Sequence, residues 1–150
     1  YDRNRAEITG HPEYGNMYDS LLQKTEILTK GLTINTIGLV WMQGARDARV
    51  PEAGIEYYKN FRSFIISVRK DLNDPNLPVL FGKTNVPESL YPAVNTIIQA
   101  QERIAGELSR IYLINTDSLE KWNDNVHYSS DGQVKLGHEF GKKIVEILKN

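Results

Sequence analysis

Three short apolar runs, each set between longer segments in which apolar residues recur every three or four positions, constrain this chain more than anything else in it. The runs are Ile34 to Trp41, Pro78 to Gly82 and Ile111 to Ile114. They are too short for buried helices and rich in branched residues, so they read as strands covered on both faces. The flanking segments carry Tyr18, Leu21, Leu22, Leu28 and Leu32; then Ile55, Tyr58, Phe61, Ile65, Val68 and Leu72. A third carries Val94, Ile97, Ile98, Gln101, Ile104, Ala105 and Leu108, and a fourth Val134, Gly137, Phe140, Ile144, Val145 and Leu148. Each set follows the 3.6-residue period of a helix. The order α-β-α-β-α-β-α calls for parallel strands, because a parallel neighbour is reached only by a long right-handed crossover. The expected fold is α/β, with three layers (α/β/α) around a parallel, flavodoxin-like sheet. Three strands are few for such a sheet, so one or two more are expected before residue 1. Ser130 and Gln133 have capping-box spacing and should start the last helix. Gly137 and Gly141, one turn apart, should let it pack closely on a neighbour.

Across 150 residues there is no repeat and no low-complexity linker, so residues 1–150 are expected to form a single α/β domain. The net charge of −1 is spread without a basic run, which argues against nucleic acid and anionic membranes as partners. No apolar stretch approaches the ~20 residues that span a bilayer. The absence of Cys removes disulfides, thiolate nucleophiles and Cys-ligated metals, but sets neither compartment nor oligomeric state. The chain starts without Met, in the polar stretch Tyr1-Asp2-Arg3-Asn4-Arg5, which points to the interior of a longer gene product.

In open α/β sheets chemistry sits beyond the carboxyl ends of the strands. The loops there read Met42-Gln43-Gly44-Ala45-Arg46-Asp47-Ala48 after Trp41, then Lys83-Thr84-Asn85, and a third that runs through Trp122-Asn123-Asp124-Asn125-Val126-His127-Tyr128-Ser129. A carboxylate three residues before a histidine can fold back onto one ring nitrogen, fixing the tautomer and leaving the other nitrogen free as a base. The alternative is a histidine that only caps a loop. Trp122 and Tyr128 could stack on a sugar ring, although large aromatics near a strand end are more often core.

Residues 41–47, Trp-Met-Gln-Gly-Ala-Arg-Asp, resemble the Trp-x-Gln-Gly-Glu-x-Asp segment of the sialate O-acetylesterase and acetylxylan esterase branch of the SGNH hydrolase superfamily. Asp124-Asn125-Val126-His127, followed by a Gly-containing helix over 131–149, is similar to that family's late Asp-x-x-His block, and the likeness extends over residues 14–149. The resemblance implies an SGNH-type α/β fold and a carbohydrate O-acetylesterase acting on acetylated sugars without metal or cofactor. It is compatible with a secreted or periplasmic protein. It also implies that His127 is the general base, that Asp124 orients it, and that Gln43 offers its amide to the oxyanion, with Gly44 and Asp47 at the substrate. Gln43 and Asp47 read equally well as a strand-end hydrogen-bonding group and a turn carboxylate. The chain departs from the pattern at Ala45, where the family has Glu. Arg46 and Arg49 would suit an acidic sugar, but are expected to pair with Asp47 or Glu52.

The superfamily's Gly-x-Ser nucleophile block is not visible. The serines stand at 20, 63, 67, 89, 109, 118, 129 and 130, and none follows a Gly directly or at one residue's remove. The serine is therefore expected from a segment outside this chain, making the chain the C-terminal part of a larger esterase domain, inactive alone. The alternative is a non-catalytic sugar-binding or interaction module on the same scaffold. A metal hydrolase is disfavoured because His11, His127 and His138 show no ligand spacing. A phosphate or dinucleotide binder is disfavoured because neither Gly-rich loop motif occurs.

Overall fold

The computed structural model describes residues 13–35 and 38–149. The elements are α1 (Glu13–Thr29), β1 (Leu39–Trp41), a 3-10 turn (Asp47–Arg49), α2 (Pro51–Asp71), β2 (Val79–Gly82), α3 (Val94–Glu107), β3 (Ile111–Ile114) and α4 (Ser130–Lys149). They fall into two compact units. One holds α1 with α2 from Lys59 onward and the loop to Leu77; the other holds the strands, α2 up to Tyr58, α3 and α4.

In the first unit, the Tyr18 hydroxyl donates to the Asp71 carboxylate at 2.8 Å and the ring stands edge-on to Phe64, 6.0 Å between centroids. The Arg69 guanidinium is buried because it donates twice to the Leu77 carbonyl, at 3.1 and 3.0 Å. Asn73, at φ 53°, ends α2 in the left-handed conformation that asparagine tolerates better than most residues. The apolar stripe expected on α1 is only partly used: Tyr18 is buried, whereas Leu21, Leu28 and Leu32 are exposed, and Leu32 lies beyond the helix.

The second unit is the α/β layer expected from the sequence. Its strands are parallel in the order β1-β2-β3, with Trp41 opposite Phe81 and Gly82 opposite Ile114, so all three carboxyl ends open at one edge. Every residue of the central strand β2 is buried, as a strand covered on both faces must be. On one face Leu80 and Ile114 pack with Phe140 of α4, and Tyr112, Leu136, Ile144 and Ile147 close around them. Alternation hands Val79 and Phe81 to the opposite face. α3 buries Val94, Ile97, Gln101 and Ile104, as its sequence pattern requires.

Several details differ from expectation for definable reasons. β1 begins at Leu39; Ile34 is exposed outside it, and Thr36 and Ile37, like Tyr1–Arg5 and His11, lie outside the described residues. On α2 the buried stripe runs through Tyr57, Phe61, Ile65 and Val68, leaving Ile55 exposed. On α4 the inward stripe is Gly132, Leu136, Phe140, Ile144 and Ile147, while Val134, Gly137, Val145 and Leu148 face outward. Both stripes have helical period, so periodicity could not choose between them. The choice follows from Gly132, where an added Cβ would stand 2.1 Å from the Glu120 carbonyl oxygen. Gly137 and Gly141 have open space and permit no close packing. The helix does begin at Ser130, but its side-chain cap is Ser129, whose hydroxyl oxygen accepts from the Gly132 N–H at 3.1 Å.

These contacts separate two glycines of one helix. Gly137→Ala should raise stability by about 0.5–1 kcal/mol through helix propensity. Gly132→Ala should cost about 1–3 kcal/mol through overpacking. Thermal denaturation of both variants checks the opposite signs.

Candidate active site

Gln43 follows β1 and is held from below. Its carbonyl accepts from the Tyr57 hydroxyl at 3.3 Å, the Thr84 hydroxyl at 3.4 Å and the Gln101 amide at 3.4 Å. Gln101 is fully buried; its side-chain oxygen accepts the Thr84 N–H at 2.8 Å and its nitrogen reaches Gly82 O, Tyr57 Oη and Thr84 Oγ1. Burial pushes the Tyr57 phenol well above its ordinary pKa, so it stays a neutral donor. Gly44 comes next, at φ 136°, and an added Cβ would stand 2.2 Å from Thr84 Oγ1. Backbone conformation and close approach both demand glycine there. The Gln43 side-chain amide donates to the Asp47 carboxylate at the head of the 3-10 turn. Arg49 does not pair with Asp47 or Glu52 as expected; it donates to the Tyr91 hydroxyl at 3.2 Å and lies 5.1 Å from that ring's centroid.

The loop after β2 joins the first loop to the third. Thr116 Oγ1 donates to the Lys83 carbonyl at 2.7 Å, Asn85 Nδ2 to the Thr116 carbonyl at 3.2 Å, and Lys121 Nζ to the Asn85 carbonyl at 2.6 Å. Beyond it the chain makes a narrow antiparallel turn in which Lys121 pairs with Tyr128. The Trp122 N–H donates to the His127 carbonyl at 2.9 Å, and the Ser129 N–H to the Glu120 carbonyl at 3.1 Å. Asn125 closes the turn at φ 57°, donating its N–H to the Trp122 carbonyl at 2.9 Å.

At the tip of that turn, Asp124 Oδ2 lies 2.6 Å from His127 Nδ1, while Oδ1 accepts the N–H groups of Val126 and His127 at 2.9 and 3.0 Å. A carboxylate can only accept from the ring, so Nδ1 carries the proton and Nε2 is the free basic nitrogen. The His127 hydrogen bond, then those from the Val126 and His127 backbone, lower the Asp124 pKa to about 2. Both groups are open to solvent, with 78% of the His127 side chain exposed.

The structure thus brings Asp124 and His127 together, and Gln43, Gly44 and Asp47 together, and joins the two sets through the β2 loop. Among the described residues no serine hydroxyl hydrogen-bonds to the His127 ring. Ser129 is nearest in sequence, but its hydroxyl donates to Glu120 Oε2 at 2.7 Å and caps α4. Trp122 is 57% exposed, contrary to a core role. Gln101 was legible only as one polar member of an apolar helix face; an amide in that place is the signal of a buried polar hub.

Residues 6–146 match the family described as carbohydrate esterase, sialic acid-specific acetylesterase. The chain is similar to a probable carbohydrate esterase of Arabidopsis thaliana, 27% identical over 124 residues, or 81% of this chain and 45% of the relative. The crystal structure of that Arabidopsis protein aligns with a TM-score of 0.75 at 25% identity, covering 86% of this chain and 52% of the other. Two further structures share the fold. A carbohydrate acetylesterase from Xanthomonas citri has a TM-score of 0.55 at 19% identity, over 65% of this chain and 23% of its own. A carbohydrate esterase family 3 protein from Talaromyces cellulolyticus has 0.60 at 14%, over 73% and 57%. The chain spans about half the length of the curated relative it matches.

Two outcomes follow from the geometry. Gln101→Leu keeps the volume but strands the Thr84 N–H, and should cost about 1–3 kcal/mol in chemical denaturation. Because the folded pKa of Asp124 is depressed, the stabilisation from its hydrogen bonds is present above the ordinary carboxylate range and is lost as pH falls through about 2. In carboxyl-carbon NMR, His127→Ala should raise that midpoint yet leave it below the ordinary range, because the two backbone donors remain.

Proposed function

The chain belongs to the carbohydrate esterase, sialic acid-specific acetylesterase family, and from that premise we propose that it supplies the acid–base part of a serine-type O-acetylesterase for acetylated sugars. The observation that carries this reading is the 2.6 Å contact between Asp124 and the His127 ring, with Nε2 left open. The serine belongs to a segment outside this chain, and the chain is the C-terminal part of the assembled SGNH-type esterase domain.

In the proposed reaction His127 Nε2 takes the proton of the serine hydroxyl as its oxygen attacks the acetyl carbonyl. Asp124 keeps the ring in the reactive tautomer and stabilises the imidazolium. The tetrahedral oxyanion receives the second N–H of the Gln43 amide, whose first N–H is directed to Asp47. One such preorganised donor lowers the barrier by roughly 3 kcal/mol. Gly44 keeps the backbone low enough for the acetyl group to approach. His127 then returns its proton to the sugar alkoxide as the C–O bond breaks, and water, deprotonated by the same nitrogen, releases acetate from the acyl-serine.

A second reading, a sugar-binding or interaction module on this scaffold, is favoured by Ala45 in the family's Glu position and by the absence of a serine partner for His127 among the described residues.

Hydrolysis of p-nitrophenyl acetate by the 150-residue chain and by the full-length protein, each beside its His127→Ala variant, decides between them. The expected result is activity in the full-length protein only, lowered by about 10^4-fold or more in the variant. Ester turnover by the short chain that needs His127 would place the nucleophile within it. Inactivity of both proteins would leave the binding module.

A further inference from the structure

The narrow turn that carries His127 also fixes the position of one large exposed aromatic. Lys121 and Tyr128 form the antiparallel pair, flanked by the bonds Trp122 N–H to His127 O and Ser129 N–H to Glu120 O. That pattern sets Trp122 opposite His127 and Glu120 opposite Ser129. Side chains alternate along such a ladder, so Lys121 and Tyr128 share one face, while the pairs on either side share the other. Two contacts agree with this assignment. The Lys121 ammonium lies 5.9 Å from the Tyr128 ring centroid, and the Ser129 hydroxyl reaches Glu120 at 2.7 Å. The Trp122 indole therefore rises from the same face as the His127 imidazole, on a backbone pinned at both ends.

From this juxtaposition we propose that the Trp122 indole is the platform on which the sugar ring lies while its acetyl ester is presented to His127. The proposal rests on the esterase reading above and names what that site holds. A single exposed apolar residue needs no special explanation. An indole 57% exposed, across a fixed turn from the ring with the free basic nitrogen, is a different case. Its negative π face complements the C–H edges of a pyranose, and its two side-chain torsions make ordering it inexpensive. A flat apolar surface with hydrogen-bonding groups at its border is the general form of a small-ligand site, and Asp124 and His127 supply such groups on the same turn.

The test uses the full-length protein and its Trp122→Ala and Trp122→Phe variants, with O-acetylated sialic acid, acetylated xylo-oligosaccharide and p-nitrophenyl acetate as substrates. Trp122→Ala should lower the ratio of kcat/KM on the acetylated sugar to that on the aryl ester by about tenfold. The loss should lie mainly in KM, and Trp122→Phe should recover most of it. An unmoved ratio in an active enzyme overturns the proposal. If the full-length protein hydrolyses none of the three esters, the esterase reading fails and the platform is judged by NMR. The indole N–H resonance missing from the Trp122→Phe spectrum should shift on titration with either acetylated sugar, and a resonance that neither sugar moves overturns the platform as well.

Discussion

The buried amide of Gln101 is the point through which the strand ends are held in register with their loops. An uncharged amide that loses all contact with water must recover its hydrogen bonds inside the protein, at a cost of about 1–3 kcal/mol for each one left unmade. Gln101 recovers them from three chain segments: the end of β2 at Gly82, the loop residue Thr84, and the carbonyl of Gln43 beyond β1. Tyr57, on α2, completes the set. The direction in which Gln43 leaves the sheet is thus imposed from beneath. Gly44 can sit against Thr84 only because it has no side chain. Hydrophobic packing defines where the strands run, and this polar cluster defines how the first two loops leave them.

The third loop is organised differently, by short-range contacts. Asp124 satisfies two backbone N–H groups and the imidazole from within four residues of chain. The turn is anchored where Ser129 caps α4 and where Gly132 lies against Glu120. This difference explains what could be read from the sequence. The Asp124–His127 contact is local and follows from spacing alone, as do the buried strand at 79–82 and the strand at 111–114, which is buried at its ends. The support of Gln43 draws on residues 14, 41 and 58 positions away. No local pattern announces such a cluster beyond a lone Gln on an apolar face. The expected stripes of α2 and α4 hold at Phe61, Ile65, Val68, Phe140 and Ile144 but not at Ile55, Val134, Val145 and Leu148, because both helices are apolar on more than one side and steric contacts such as that at Gly132 decide between equivalent periodicities. The serine cap lies one residue before the one that the capping-box spacing of Ser130 and Gln133 selects, because Ser129 is the buried serine whose oxygen faces the first turn of α4.

Exposure sets what the Asp124–His127 pair can contribute. Charges in open solvent interact through a high dielectric, and exposed ion pairs add little to stability. With most of the His127 side chain in water, Asp124 acts chiefly as a positioning group that selects a tautomer and an orientation. In the proposed reaction, strong electrostatic assistance needs water to be removed from around the imidazole while charge develops on it. The side chains of this chain that lie on the same face of the turn cannot enclose the ring alone. A sugar ring laid on Trp122 would cover one flank, and the segment bearing the serine would cover the other. On that account the nucleophile and the substrate complete the electrostatic environment as well as the reaction.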